Sequence, residues 1–431
     1  MTRSMARVGK NTAARLAAQV WAKLLSMVLV ALVARYDSAA GLGRYVLILT
    51  MITFAGALSD LGLNIYLTRE VARQEDAQSQ RALLGSVLPV KVLLSVVGAA
   101  GLVAFGLVAS FPPATEGLIP FGSLLLLPEG AIGAARAFVN GRQRMEVSGA
   151  IDMTVRLVAV AASFPILVLG FGVAGVLVCS LGASLLGVLL YGIVLWRWHA
   201  LPGGQSSPVP LTLSPEAWRG HLAESYPFAL TAVAAALYAR IDLVLLGLWQ
   251  GELAAGWYGA AYKLWETVGL LPASLLEAMF PEMSRLAARP EGRTRLRQLF
   301  GTSSRAMLAG GALLSVGGVL TAGILIPLVY GGGDFAPAVL PFRLLACAIP
   351  AVFLYLLSGH VLYALGRQRR VTVVMIVVGL LNLALNLVVI PRWSYLGAAV
   401  VALLTEWLLV ALLYPQAWRA LAHEFATAHS Q

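Results

Sequence analysis

The chain has 431 residues, of which 59% are hydrophobic and only 12% charged, with a mean hydropathy of +0.82. A soluble domain carries about 25% charged residues, so this balance excludes a water-soluble globular protein and points to a chain solvated by lipid. The net charge of +11 would suit a nucleic-acid binder, but the basic residues sit between apolar runs, in the pattern that orients membrane spans, so no nucleic-acid partner is expected.

A span needs about 20 apolar residues, because the bilayer core is about 30 Å thick and a helix rises about 1.5 Å per residue. Backbone groups at that depth must bond within helices or a closed barrel, and the runs here are too continuous for barrel strands. The N-terminus carries Arg3, Arg7, Lys10 and Arg15 ahead of the run Leu16–Ala34. That run is long, interrupted by Lys23 and followed by no small-residue cleavage site, so it reads as a retained span rather than a signal peptide. Five more spans follow at Tyr45–Leu63, Gly85–Ala109, Leu118–Phe138, Ser148–Leu169 and Val173–Trp196. A connection rich in Pro, Gly and Ser, LPGGQSSPVPLTLSP, then reads as a flexible linker. The second half predicts Tyr226–Leu248, Trp257–Phe280, Ala306–Tyr330, Pro341–Tyr363, Val371–Ile390 and Gly397–Pro415. Its basic stretch PEGRTRLRQLFGTSSR, Pro290 to Arg305, reads either as an amphipathic helix on the inner membrane surface or as an exposed loop.

Twelve spans with the N-terminus inside place 21 Lys and Arg residues in cytoplasmic segments, four outside (Arg35, Arg44, Arg343 and Arg392) and six within spans. This bias predicts cytoplasmic termini. The expected organisation is an N-terminal six-helix bundle over 1–200, a linker over 201–221, a second bundle over 222–415 and a cytoplasmic tail over 416–431. Cys179 and Cys347 both fall within spans and suggest no disulfide.

The halves echo each other. The string GRQR occurs at Gly141–Arg144 and again 225 residues on at Gly366–Arg369, each time before a span. The same separation relates FGVA at Phe171–Ala174 to LGAA at Leu396–Ala399, while Gly41–Tyr45 (GLGRY) resembles Ala254–Tyr258 (AAGWY). Two six-span halves that both start inside are parallel repeats, an architecture that places a transported substrate between halves and alternates access to it.

Charges inside the spans are the candidate functional groups, since one at the bilayer centre costs roughly 2.5–3.5 kcal/mol and needs a partner or a cavity. Lys23, Lys91 and Arg136 lie toward the cytoplasmic side of the first half, with no obvious acidic neighbour in their own spans. They are candidates to bind an anion, or else snorkel to the interface. Arg240 and Asp242 lie about 12 and 9 Å from the outer end of their span, and Lys263 and Glu266 about 9 and 13 Å from the outer end of theirs. These depths favour Asp242 with Lys263 and Arg240 with Glu266, as a lock between two spans or as the lining of a cavity. Asp152 and Arg156, four residues apart, are expected to pair with each other. Glu129 and Glu406 lie near mid-span, where a carboxylate either carries a coupling proton or bonds a neighbouring helix in its protonated form. The spans hold six basic and seven acidic residues, so no net cationic cavity follows from the charges. Neither metal-ligand spacing nor a nucleotide-binding motif is present, so no enzyme activity, metal or ATP use is expected.

The stretch GLGRYVLILTMITFAGALSDLGLNIYLTREVAR (Gly41–Arg73) resembles the polysaccharide-export branch of the multidrug/oligosaccharidyl-lipid/polysaccharide flippase superfamily. So do YARIDLVLLGLWQGELAAGWYGAAYKLWE (Tyr238–Glu266) with the following FPEMSRL, the GRQR turns and YLGAAVVALLTEW (Tyr395–Trp407), in that order over essentially the whole chain. The resemblance implies an all-α polytopic protein of the MATE-like flippase fold in the bacterial cytoplasmic (inner) membrane. It also implies an O-antigen-type (Wzx-like) flippase that moves undecaprenyl-pyrophosphate-linked oligosaccharide for lipopolysaccharide or another surface polysaccharide, with Lys23, Lys91, Arg136, Arg240 and Lys263 as candidates to meet its head group and Glu129, Asp242, Glu266 and Glu406 as candidates for ion coupling or gating. Transport would be driven by a proton or sodium gradient, with membrane lipids and the pathway's polymerase and glycosyltransferases as partners. The alternatives are a MATE-like exporter of drugs or metabolites and, from another class, a membrane-embedded polymerase or glycosyltransferase.

Overall fold

The computed structural model describes residues 21–199, 211–289 and 291–428, and every regular element among them is helical. Seven of these helices are long and apolar enough to cross a membrane, or eight if the bent pair Ala336–Ala346 and Ile349–Ala364 is one span. The chain divides into two compact units, Met1–Glu252 and Leu253–Gln431.

The first unit contains α1 (helical over 21–36), α2 (Ala39–Asp60), α3 (Leu63–Arg73), α4 (Ala77–Val108), α5 (Pro113–Glu116), α6 (Ile119–Ser123), α7 (Leu126–Gly141), α8 (Met145–Val168), α9 (Gly172–His199) and α10 (Pro215–Trp249). The expected second span, Tyr45–Leu63, ends at Asp60, followed by Leu61 and Gly62, both left-handed, and TREVAR belongs to a separate short helix, α3. The expected fourth span, Leu118–Phe138, contains α6 and α7 with a turn at Leu124 and Leu125 between them, and α5 precedes it; Pro120 and Pro128 within the span lack the N–H that a continuous helix uses.

Helix α7 is the centre of this unit. One of its faces packs Ala134, Ala137 and Phe138 on Leu67 and Val71 of α3 and Val87 and Val90 of α4, and the other packs Ile132, Ala135 and Val139 with Ile151 and Tyr191. Lipid tails are as apolar as leucine, so burial alone does not drive helices together in a bilayer, and small residues matter because they let backbones approach closely. A methyl on Gly141 would lie 2.7 Å from Val71 Cβ and 2.9 Å from the Thr68 carbonyl, and Thr68 Oγ1 donates to the Ala137 carbonyl at 3.2 Å.

Helix α10 contains residues 215–221 of the expected linker, capped by Ser214, with Thr212 N donating to the Gly85 carbonyl at 3.0 Å. Ordered helix thus replaces flexible chain at that end, because Trp218 and Leu222 pack on the α3–α4–α7 core. Residues 201–210 of the linker and 16–20 of the first span lie outside the described residues.

The second unit runs through α11 (Gly251–Val268), α12 (Leu270–Ala287), α13 (Gly292–Tyr330), a 3-10 turn at Ala336–Ala338, α14 (Val339–Ala346), α15 (Ile349–Ala364) and α16 (Gln368–Ala428), which is two helices meeting at Ser394. The basic stretch after Pro290 is helix rather than loop: it forms the first turns of the 39-residue α13. Its buried Leu296 and Phe300 explain this, since the Phe300 ring lies 5.4 Å from Tyr414 and 5.2 Å from Trp418. Helix likewise continues past Pro415 into the expected tail, where Ala417, Ala420 and Leu421 are buried.

Each unit contains the same series: a broken span, a long helix, a second broken span, a tight turn and two further helices. The tight turns share one hydrogen-bond pattern. Arg142, Gln143 and Arg144 donate to the carbonyls of Phe138, Asn140 and Val139, as Leu365, Gly366 and Arg367 do to Val361, Tyr363 and Leu362. The left-handed residue is Gln143 in one and Gly366 in the other, so the repeated turn is two residues out of step with the repeated GRQR string. The structural repeat is real, and the string marks it only approximately. By contrast Ser38 and Gly251, both at positive φ, stand three residues before GLGRY and AAGWY, in step with that echo.

Candidate functional site

Two charge clusters meet at α7. In the first, Lys91 of α4 is 3% exposed; its ammonium donates to Asp60 Oδ1 at 2.5 Å and to Asn64 Oδ1. Asp60 ends α2 and Asn64 stands in the first turn of α3, so one cation ties together both sides of the Leu61–Gly62 break. The Asp60 carboxylate also lies 3.5 Å from the Asn64 N–H. Gly133 makes the space, for a methyl there would lie 2.9 Å from Lys91 Nζ. A buried ion pair is costly to desolvate, and removing one partner strands the other. Lys91 is therefore a held cation, and the acidic partner that its own span lacks comes from the neighbouring one.

In the second cluster, Arg136 of α7 contacts Asp152 Oδ2 of α8 at 2.9 Å and Glu129 Oε1, two turns up its own helix, at 3.2 Å. Tyr191 of α9 donates to Asp152 Oδ1 at 3.1 Å. Two expectations are corrected here. Asp152 pairs with Arg136 rather than with Arg156, which is exposed on α8. A carboxylate among apolar helices takes the cation that tertiary packing brings nearest, and a guanidinium forks between two of them. Arg136 also has an acidic neighbour in its own span, Glu129. Glu129 and Asp152 keep 51% and 33% of their side chains exposed, so this cluster opens on a face uncovered by its own unit, whereas Lys91 is closed in.

The other candidates are placed more simply. Lys23 is half-buried near the first described residue, and Arg240 is half-buried on α10. Asp242 is buried, and its carboxylate accepts from the Leu243 N–H at 2.8 Å. Lys263 and Glu266 pair on α11 at 3.2 Å, one turn apart. Glu406 is buried on the second helix of α16, next to Thr405, which accepts from Asn382 Nδ2 at 3.1 Å.

Sequence reasoning missed a third cluster. Arg44 lies 3.3 Å from Asp37 and 3.7 Å from Glu252, which accepts from Thr115 Oγ1 at 2.6 Å, while Asp37 accepts the Val173 N–H at 2.9 Å. These polar contacts, all within the first unit, join the starts of α2, α5 and α9 to Glu252 at that unit's end. The signal available was Gly41, whose missing side chain leaves room for the Asp37 carboxylate, 2.3 Å from where a methyl would stand. No group of three or more His, Cys, Asp or Glu that could hold a metal occurs among the described residues.

Residues 8–287 match the family profile described as "Polysaccharide biosynthesis protein", and residues 252–429 match that of "Lipid II flippase MurJ". Among solved structures, the lipid II flippase MurJ in an inward closed conformation aligns at 13% identity with a TM-score of 0.72, covering 96% of this chain and 92% of that one. An inward-facing multidrug resistance MATE family transporter of the MOP superfamily aligns at 12% identity and 0.71, covering 96% and 99%. A MATE transporter of Vibrio cholerae in its bent form aligns at 15% and 0.58, covering 98% and 99%. No protein of curated function matches.

Proposed function

The chain belongs to the polysaccharide biosynthesis protein family, within the flippase superfamily that also holds MATE transporters, and from that premise we propose that it flips undecaprenyl-pyrophosphate-linked oligosaccharide across the bacterial cytoplasmic membrane. The cargo is an O-antigen or other surface-polysaccharide repeat unit, and the motion is ion-coupled alternating access. The observation that carries the site assignment is Arg136, a cation inside the spans that is shared between two part-exposed carboxylates. A phosphate presented to this guanidinium competes with Glu129 and Asp152 for the same fork of donors. Like charges held close do not both stay ionised, so a carboxylate released beside the bound anion takes up a proton. Head-group binding and proton uptake are thereby linked at one residue. Lys91 keeps Asp60 and Asn64 together and shapes the broken span beside it, without itself meeting the cargo.

The test is a deletion strain. Loss of the protein is expected to trap the undecaprenyl-linked sugar in the inner leaflet, and the wild-type chain to clear it. Losing a hydrogen bond to a charged group costs about 1.5–3 kcal/mol, which is about tenfold or more in rate, so Arg136→Ala is expected to clear the sugar at least that much more slowly at equal membrane abundance. A deletion strain that accumulates no lipid-linked sugar, yet loses efflux of a small solute, would mean a drug or metabolite exporter instead.

A further inference from the structure

At one end of the second unit, the start of α16 and its distal helix flank an open concavity of about 730 Å³. Arg367, Arg369, Arg370 and Arg419 line it with Gln416, and Val373 forms part of its wall. The residues come from two segments about fifty positions apart, so the fold, not a run of sequence, brings four guanidiniums to one concavity. Orienting a span requires basic residues in the connection but does not require them to converge. The arrangement is also electrostatically unfavourable by itself. Arg369 and Arg370 occupy the first turn of a helix, where the macrodipole is already positive, and none of the ion pairs among the described residues involves Arg369, Arg370 or Arg419.

An anion relieves both the mutual repulsion and the dipole, and arginine forks suit phosphate oxygens. The surroundings narrow the class further. Val373, Ile376, Val377 and Leu380 follow one face of α16 away from the cavity, each 43% exposed or more. Charged head and apolar stripe adjoin on one helix, as they do in a lipid with a phosphate headgroup, and basic pockets at the ends of membrane helices bind such headgroups.

We propose that this concavity binds the phosphate headgroup of a net anionic membrane lipid whose chains lie along the Val373–Leu380 stripe. The site is remote in sequence from Arg136, and its assignment does not rest on the identity of the cargo. Native mass spectrometry of the full chain in detergent provides the test, with phosphatidylglycerol, phosphatidylcholine and undecaprenyl phosphate as probes and sodium phosphate as competitor. The wild type is expected to retain phosphatidylglycerol or undecaprenyl phosphate over phosphatidylcholine. Whichever of the two binds more tightly identifies the source as bulk phospholipid or isoprenoid carrier. Each arginine facing such a headgroup changes binding about fivefold, so R369A/R370A/R419A is expected to lose on the order of a hundredfold. Should the triple variant fold poorly, R419A alone is expected to lose about fivefold. Equal retention of phosphatidylglycerol, undecaprenyl phosphate and phosphatidylcholine overturns the proposal. So does anionic-lipid retention that R419A and the triple variant leave intact, or displacement by sodium phosphate at equal concentration, which would make it a free-phosphate site.

Discussion

His221 lies before the start of its expected span, half-buried between Tyr66 Oη at 3.0 Å from Nδ1 and Ser86 Oγ at 2.9 Å from Nε2. Ser86 already donates to the Leu83 carbonyl at 3.0 Å, so its oxygen accepts from Nε2–H and leaves Nδ1 to accept from Tyr66. Protonation would place a hydrogen on Nδ1 and force the tyrosine hydroxyl to turn. Burial holds the imidazole below its usual 6.5, with Glu224 opposing. Unfolded, the ring titrates near 6.5; folded, it titrates lower and binds fewer protons in between. Its contribution to stability is therefore complete above pH 6.5 and is lost as pH falls below that value through the folded pKa. The midpoint of thermal unfolding in detergent is expected to drop as pH falls below 6.5, and His221→Gln to flatten that drop. An unchanged slope in the variant would assign the acid sensitivity elsewhere.

At the scale of helices, the glycines of α7 and α4 make opposite predictions. At Gly141 a methyl meets backbone and a β-branched side chain, neither of which can swing aside. Gly141→Ala is expected to destabilise the protein by about 1–3 kcal/mol through overpacking. Gly101, within α4, has nothing within 4 Å of where the methyl would stand. There alanine is expected to be neutral or to stabilise by up to about 1 kcal/mol, because glycine is the poorer helix former. Parallel thermal melts of the two variants check this, and equal shifts would remove the close-approach account of the α3–α7 contact. The breaks in the second and fourth spans were only partly legible. Pro120 and Pro128 announce the fourth, but Leu61 gives no sign that it adopts a left-handed conformation at φ 45°. The adjoining Gly62 is the position the break requires: it is also left-handed, and a methyl on it would lie 2.6 Å from the Ser225 carbonyl.

At the scale of the whole molecule, the charge bias among connections makes a topological prediction. A fluorescent-protein fusion after Arg197 is expected to glow and a periplasmic phosphatase fusion there to be inactive, and the reverse pattern would invert the orientation proposed here. The apolar runs by themselves determined that the chain is helical and crosses the membrane repeatedly, because lipid offers the backbone no hydrogen bonds and every run must satisfy its own. They also marked which charges fall within apolar runs. Partners were decided only by the tertiary structure. Arg136 takes Asp152 rather than leaving it to Arg156, and Lys91 takes Asp60 across a helix break. Spacing along one helix is local information. A charge in a low-dielectric interior is governed by whichever opposite charge lies nearest in space, and that distance is set by helices packing through residues such as Gly133 and Gly141.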